Sequence, residues 1–422
     1  MSGTRSRLYW AFYDWANSAF ATTVIAGFFP LFLKQYWAAD VPATQSTLYL
    51  GNTVAAASIT VMFLAPVLGA IADRSGGRKR YLGFFMLIGV LATASLYLVP
   101  QGGWPWALLA YLFGVLGFFA ANVFYDSLIV DVANEGKENG GGSTDRLSAL
   151  GYALGYLGGG ILFAVNVAMT LKPALFGLES AAQAVRISFL SVALWWLLFS
   201  LPLLLGVKEK RQGEQVSFFR AIRPGFRQLR DTFAEIRQYR AVFLFLIAYW
   251  LYIDGVDTII HMAVDFGAAL GFSSEALITA LLLTQFVGFP AAIAFGYLGE
   301  RWGTVRGIFL ALLVYMGVTL WGYWLEAEWQ FYVMAGIIGL VQGGVQSLSR
   351  AYYARIIPAD KAAEFFGFYN MMGKFAAVLG PLLVAWTAGL TGDSRLAILS
   401  LLILFVSGAV MLVIATRNSV TQ

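Results

Sequence analysis

Runs of about 20 apolar residues, each long enough to cross the hydrocarbon core of a bilayer, follow one another along almost the whole chain. This constrains the fold more than any other feature. Inside lipid a backbone must satisfy its own N–H and C=O groups, which leaves helices or closed barrels, and runs of this length suit helices. Of the 422 residues, 59% are hydrophobic and 12% charged, against about 25% charged in a soluble domain. The excess is spread over the full length, so the prediction is an all-α, polytopic membrane protein.

Twelve spans are read, at 8–33, 46–72, 81–99, 104–130, 146–170 and 186–206, then 241–265, 274–299, 305–325, 329–354, 364–390 and 394–416. One long polar connection separates the two sets of six. The expected organisation is therefore a six-helix bundle over 1–206, a linker over 207–240 and a second bundle over 241–422. The first run is too long for the apolar core of a signal peptide, so it should remain as the first span.

Net charge is +5, which could suggest nucleic acid. In a membrane protein the commoner cause is Lys and Arg held back on the cytoplasmic side. Lys34, Lys172, Arg186 and Arg395 fall on one side of the twelve-span layout and Lys374 within a span, leaving 23 of 28 basic residues on the other. Both termini are thus expected in the cytoplasm, in the plasma membrane if the chain is prokaryotic, with no nucleic acid partner. The absence of cysteine excludes disulfides and thiolate metal sites.

Within the linker, Phe218, Phe219, Ile222, Phe226, Leu229, Phe233 and Ile236 recur at three- and four-residue steps, flanked by five arginines. That pattern suits an amphipathic helix at an anionic leaflet, or a solvated segment resting on the bundle. The glycine-rich loop near 136–142 has no Gly-Lys-Ser/Thr after it and no strand before it, so it is a turn and not a phosphate cradle.

An ionisable side chain in a span is costly and needs a partner, a wet cavity or a task. In the first span Asp14, Asn17 and Ser18 share a helical face, where Asp14 meets either headgroups or a cavity. In the seventh, Asp254, Asp257, His261 and Asp265 form one stripe. A lone imidazole beside carboxylates suits proton handling, and a fixed network between bundles is the alternative. A metal is not expected, because two carboxylates and one imidazole are an incomplete ligand set. Asn122 and Asp126 lie in the fourth span, Gln342 and Gln346 in the tenth with Arg350 a turn beyond, and Tyr369, Asn370 and Lys374 in the eleventh. Lys374, near mid-membrane, either pairs with Asp254 or Asp257 or receives a substrate carboxylate.

The chain also repeats itself. Gly69-Ala70-Ile71-Ala72-Asp73-Arg74-Ser75-Gly76 returns 227 residues later as Gly296-Tyr297-Leu298-Gly299-Glu300-Arg301-Trp302-Gly303, each between two spans. Gly114-x-x-Gly117 and Gly336-x-x-Gly339 lie 222 residues apart. Such duplication is what a transporter of two similar halves carries. Asp73 with Arg74 and Arg78, and Glu300 with Arg301, are placed to make charge-assisted bonds across an inner gate, or simply to hold topology.

These turns resemble the signature of the major facilitator superfamily, Gly-x-Leu-Ala-Asp-Arg-x-Gly-Arg-basic. Gly69, Asp73, Arg74 and Gly76 match, with Gly77 interposed before Arg78 and Glu300 as the acid of the second copy. Further stretches resemble the subfamily grouped with autophagy-related vacuolar amino-acid effluxers. They are Tyr13-Asp14-Trp15-Ala16-Asn17-Ser18, Phe124-Tyr125-Asp126-Ser127, Asp254-Gly255-Val256-Asp257-Thr258-Ile259, Gln342-Gly343-Gly344-Val345-Gln346-Ser347 and Phe366-Gly367-Phe368-Tyr369-Asn370. The resemblance implies the major facilitator fold, alternating access, and a cavity lined by spans one, four, seven and ten.

The expectation is a monomeric secondary transporter for a small polar metabolite, amino acids first, with protons as candidate coupling ion and no cofactor. Asp254, Asp257 and His261 are the proton-handling candidates; Lys374, Asn17, Gln342 and Gln346 are the substrate contacts. A non-transporting receptor or scaffold would need a partner surface, which the linker alone offers. An integral-membrane enzyme would need a nucleophile or metal set, and neither is legible.

Overall fold

The structure, a computed structural model, describes residues 2–75, 77–138, 143–209 and 239–419. Twelve helices are long and apolar enough to cross a membrane, and the described residues contain no strand. Helix α1 starts as Ser2–Ala19 and continues through π-helical turns at Phe20–Phe28 and Leu33–Trp37. The first bundle is completed by α2 (Ala43–Ser75), α3 (Arg78–Ser95), α4 (Trp104–Glu138), α5 (Thr144–Leu171) and α6 (Ala181–Gly206). The second holds α7 (Arg240–Ala269), α8 (Ser274–Trp302), α9 (Thr304–Gly322), α10 (Glu328–Ile356), α11 (Ala362–Thr391) and α12 (Leu402–Ser419, after a short turn at Ser394–Leu399). The linker's apolar stripe and arginines, from Phe218 to Arg237, lie outside the described residues.

Local chemistry explains the helix starts. Ser143, Ser180 and Ser273 each accept a bond from the backbone N–H three residues on, giving α5, α6 and α8 their N-caps. The π-helical stretch of α1 breaks the regular spacing expected there. Such widened turns gather at functional sites, and here they bury Thr22 and Thr23.

The bundles meet along two seams, α2 against α11 and α5 against α8 and α10. With an even number of spans, both termini lie at one end of the molecule, called here the terminal end. The first seam is tight only there. Ala65, Val67, Leu68, Ala70, Ile71 and Ala72 of α2 are all at most 6% exposed, and every residue of α11 from Ala362 to Tyr369 is buried. Toward the other end, five of the six positions 51–56 of α2 are exposed. That covers more than one helical turn, so no face of α2 is packed there. Along this seam α2 and α11 are closed together at the terminal end, and α2 stands clear toward the other.

Gly367 makes this closure possible. A Cβ on Gly367 would stand 2.6 Å from the Pro66 Cα, and one on Gly69 would run into the Ala363 carbonyl. Each helix has a glycine where the other's backbone passes, which allows a close crossing.

Candidate functional site

Arg350, on α10 of the second bundle, reaches into the first and is 2% exposed. Its Nη1 donates to Asp126 Oδ1 at 3.1 Å and its Nη2 to Asp14 Oδ2 at 3.1 Å. Nε donates to the Ser148 hydroxyl at 2.9 Å, and Nη2 also to the Ser148 carbonyl at 3.0 Å. The guanidinium plane lies over Tyr152 and Trp10, at 4.3 and 4.8 Å from the ring centroids. Arginine suits this position because its fork bonds several acceptors while its faces stack on rings. Around it, the Tyr125 hydroxyl donates to Asp14 Oδ2 at 2.7 Å, and Asn370 Nδ2 of α11 donates to Asp126 Oδ2 at 3.1 Å. Two carboxylates and one guanidinium thus form a buried cluster spanning α1, α4, α5, α10 and α11.

Of the expected residues, Asp14, Asp126 and Asn370 belong to this cluster. Asn17 and Asn122 form the layer above it, with Asn17 Nδ2 donating to Asn122 Oδ1 at 2.7 Å. Gln346 is half-buried one turn from Arg350. Gln342, a further turn on, lines a mostly apolar pocket with Ile259, Leu281, Thr284, Phe331 and Met334. Tyr369 departs from expectation: it is 5% exposed and stacks on Tyr249 and Tyr353, at 4.2 and 4.9 Å, inside the second bundle's aromatic core. The side chains of His261, Asp265 and Arg74 lie outside the described residues.

Asp254 occupies an unexpected environment. It is fully buried, and its carboxylate accepts the backbone N–H groups of Leu379 (3.1 Å) and Gly380 (2.9 Å) on α11. Pro381 follows inside the same helix. A proline interrupts the i→i−4 ladder, and the carboxylate takes up two N–H groups beside the break. It caps the outer half of α11 from α7. Asp254→Asn would present an N–H2 where an acceptor is needed, and should cost about 1–3 kcal/mol of stability. The check is thermal unfolding in detergent, where an unchanged Tm would refute the cap.

Lys374 does not pair with Asp254. Its ammonium lies 3.1 Å from the centroid of Phe119, on α4 of the other bundle. Asp257 is the carboxylate whose charge acts on it.

The repeated turns sit at the terminal end. Asp73 accepts from Arg78 Nη2 at 2.6 Å, and Arg78 Nη1 donates to Asp131 at 3.2 Å. Asp73 also crosses the seam, accepting the Ala363 and Glu364 N–H groups at 3.2 and 2.8 Å. Those N–H groups open α11, where the helix dipole favours a negative charge. In the second copy Glu300 pairs with the Arg146 side chain instead. The matching N-terminus, that of α5, is already capped by its own Ser143. Asp145 completes this seam, accepting from Arg355 at 2.7 Å and Thr304 at 2.8 Å. Arg301 is exposed at the surface.

Sequence reasoning passed over Ser148, Tyr125, Asp131, Asp145, Arg146 and Arg355, and took Arg350 for a residue nearer the water. Its signal was available: an arginine within an apolar run, directly after Gln342-Gly343-Gly344-Val345-Gln346-Ser347-Leu348-Ser349. No group of three metal-ligating side chains occurs among the described residues.

A family model described as vacuole effluxer Atg22 like matches residues 3–421. An uncharacterized MFS-type transporter of Bacillus subtilis (strain 168), YxiO, is 41% identical over 421 residues, covering 99% of this chain and 96% of its own. Autophagy-related protein 22 of Coccidioides immitis (strain RS) is 25% identical, covering 97% of this chain and 86% of its own. Among solved structures, the human organic anion transporter MFSD10 superposes with a TM-score of 0.69 at 17% identity, covering 97% of this chain and 98% of its own. The major facilitator superfamily transporter FucP, in the outward conformation, gives 0.69 at 13% identity, with 98% and 99% covered. The relatives and neighbours are transporters and not enzymes, and the fold is that of the major facilitator superfamily. A twelve-helix integral membrane protein of two six-helix bundles, this chain belongs to the vacuole effluxer Atg22-like family of MFS-type transporters.

Proposed function

We propose that this transporter moves a small polar metabolite, amino acids first, by alternating access coupled to protons. The observation that carries the proposal is the Asp14–Arg350–Asp126 cluster bridging the two bundles. To open the terminal end, the second bundle must withdraw Arg350 from both carboxylates. Two acids left without a guanidinium in a low-dielectric interior have to gain a compensating cation, and a proton is the smallest available. Asp14 and Asp126 are therefore the leading coupling residues, with Asp257 and His261 on α7 as further candidates. Asn17, Asn122, Gln342, Gln346 and Lys374 line the path above the cluster and are the proposed substrate contacts. Asp73, Arg78, Glu300 and Arg146 are the proposed gate, with Arg74 and Arg301 as further candidates from the repeated turns.

The bias of Lys and Arg toward one side supports a cytoplasmic terminal end, in the plasma membrane if the chain is prokaryotic. With that orientation the closed α2–α11 crossing at the terminal end supports an outward-open reading. The bundles are taken to span 1–206 and 241–422, joined by 207–240.

Proteoliposome flux of labelled amino acids, with and without a pH gradient, tests the proposal. Gradient-driven accumulation is expected for the parent. Asp126→Asn should still exchange substrate across the membrane but lose at least about tenfold in gradient-driven accumulation, the effect of about 1.4 kcal/mol. Accumulation indifferent to the gradient would end the coupling claim.

A further inference from the structure

We infer that Lys374 is an anion-binding group for a single carboxylate, parked on the Phe119 ring until that carboxylate arrives. The inference rests on the transporter reading above and narrows its substrate to carboxylate-bearing solutes.

Lys374 lies twelve residues into α11, which begins at Ala362. That is about 18 Å of helix rise, so it sits near the middle of the bilayer. An ammonium at that depth needs an anion or a wet cavity. The side chain is half-buried, so it still meets a space within the protein. Its ammonium rests on the Phe119 ring, and Asp257 on α7 is the carboxylate whose charge reaches it. An aromatic face holds a cation only weakly. A charge-assisted bond to a carboxylate is stronger and uses N–H donors that a ring cannot satisfy. Phe119 is thus a placeholder that an anion can outbid.

The surroundings fix what kind of anion fits. Asn370 and Lys374 are four apart and share a face of α11; Phe119, Asn122 and Asp126 share a face of α4. Asn370 bonds Asp126 across the seam, which puts Lys374 beside Phe119 and Asn122, one turn further from the terminal end. The Asn122 carbonyl is taken by Asn17, so its amide N–H groups are left for an incoming oxygen. The other nearby cation, Arg350, is already bound to two carboxylates. One ammonium and one amide suit a monoanion and fall short of a phosphate dianion, which arginine clusters hold. The Asp14–Asp126 cluster below repels a second anion and orients a zwitterion with its carboxylate at Lys374.

The test separates the two ends of an amino acid. Purified full-length protein is heated with sodium acetate, ethylammonium chloride, glycine or sodium phosphate, each at an ionic strength matched with sodium chloride. Acetate and glycine are expected to raise Tm by on the order of 2 °C near saturation, while ethylammonium and phosphate match the chloride control. Lys374→Met should fold, having lost a buried charge, and should lose the acetate shift. Phe119→Leu should keep the shift and reach half-effect at about threefold lower acetate, because the competing ring is gone. No acetate shift in the parent, or an equal shift in Lys374→Met, would overturn the inference. Proteoliposome flux keeps the two proposals apart. Flux of a neutral or cationic solute without any acetate shift sinks the Lys374 site alone, whereas absence of flux for every solute sinks the transport reading.

Discussion

Arg350→Met is expected to lower stability by about 3–5 kcal/mol, because it leaves the Asp14 and Asp126 carboxylates buried without their cation. The loss comes less from the pair's own strength than from the desolvated charge that remains. Arg350→Lys should rescue little. One ammonium cannot reach Asp14, Asp126 and Ser148 together, nor stack between Trp10 and Tyr152 as the guanidinium does. Removing a carboxylate as well should help: Arg350→Met with Asp126→Asn ought to be more stable than Arg350→Met alone. A double-mutant cycle on thermal or denaturant unfolding in detergent measures this coupling. Additive single effects, or an Arg350→Met protein as stable as the parent, would show that the cluster does not bind the bundles together.

A larger side chain at the glycine crossing should act on conformation more than on stability. Gly367→Leu places branched carbon where the Pro66 backbone passes, so the closed terminal end is strained while a separated one is not. A preference of about 1.4 kcal/mol would shift the closed-to-open ratio tenfold. The chain has no cysteine, so a single introduced thiol reports without background. Ala149→Cys is suitable, because Ala149 is 1% exposed and faces Gly296 across the α5–α8 seam. Maleimide labelling of that thiol should speed up about tenfold in Gly367→Leu. Unchanged labelling would mean that the crossing does not hold the gate.

Much of the fold was legible because a bilayer leaves few options. Runs such as 104–130 and 146–170 appear as α4 and α5 with only their terminal-end extensions added. Those extensions went unread because they are polar: the last turns of α4 and the first of α5 run out beyond the apolar run. The site was legible by residue type and not by partner. Asp14, Asn17, Asn122 and Asp126 stood out as polar groups in apolar runs. Nothing in their spacing said that Asn17 would bond Asn122, or that Asp14 and Asp126 would share one arginine 336 and 224 residues away.

Asp254 illustrates the limit most clearly. On its own helix it belongs to a stripe with Asp257 and His261 and looks like part of a proton path. Packed against α11, it faces two N–H groups beside Pro381 and serves as their acceptor. Lys374 gained a partner that its spacing did not suggest, a ring in the opposite bundle.

The sequence by itself determined the number of the spans, the repeated turns and the residues that lipid would not tolerate. Apolar length and helical period are local quantities, and burial of a charge carries the same penalty whatever its partner. Tertiary structure alone decided which charges meet, how the α2–α11 seam closes, and that Arg350 bonds two carboxylates of the other half. Those choices depend on the relative rotation and depth of helices far apart in the chain, which packing sets and no local pattern encodes.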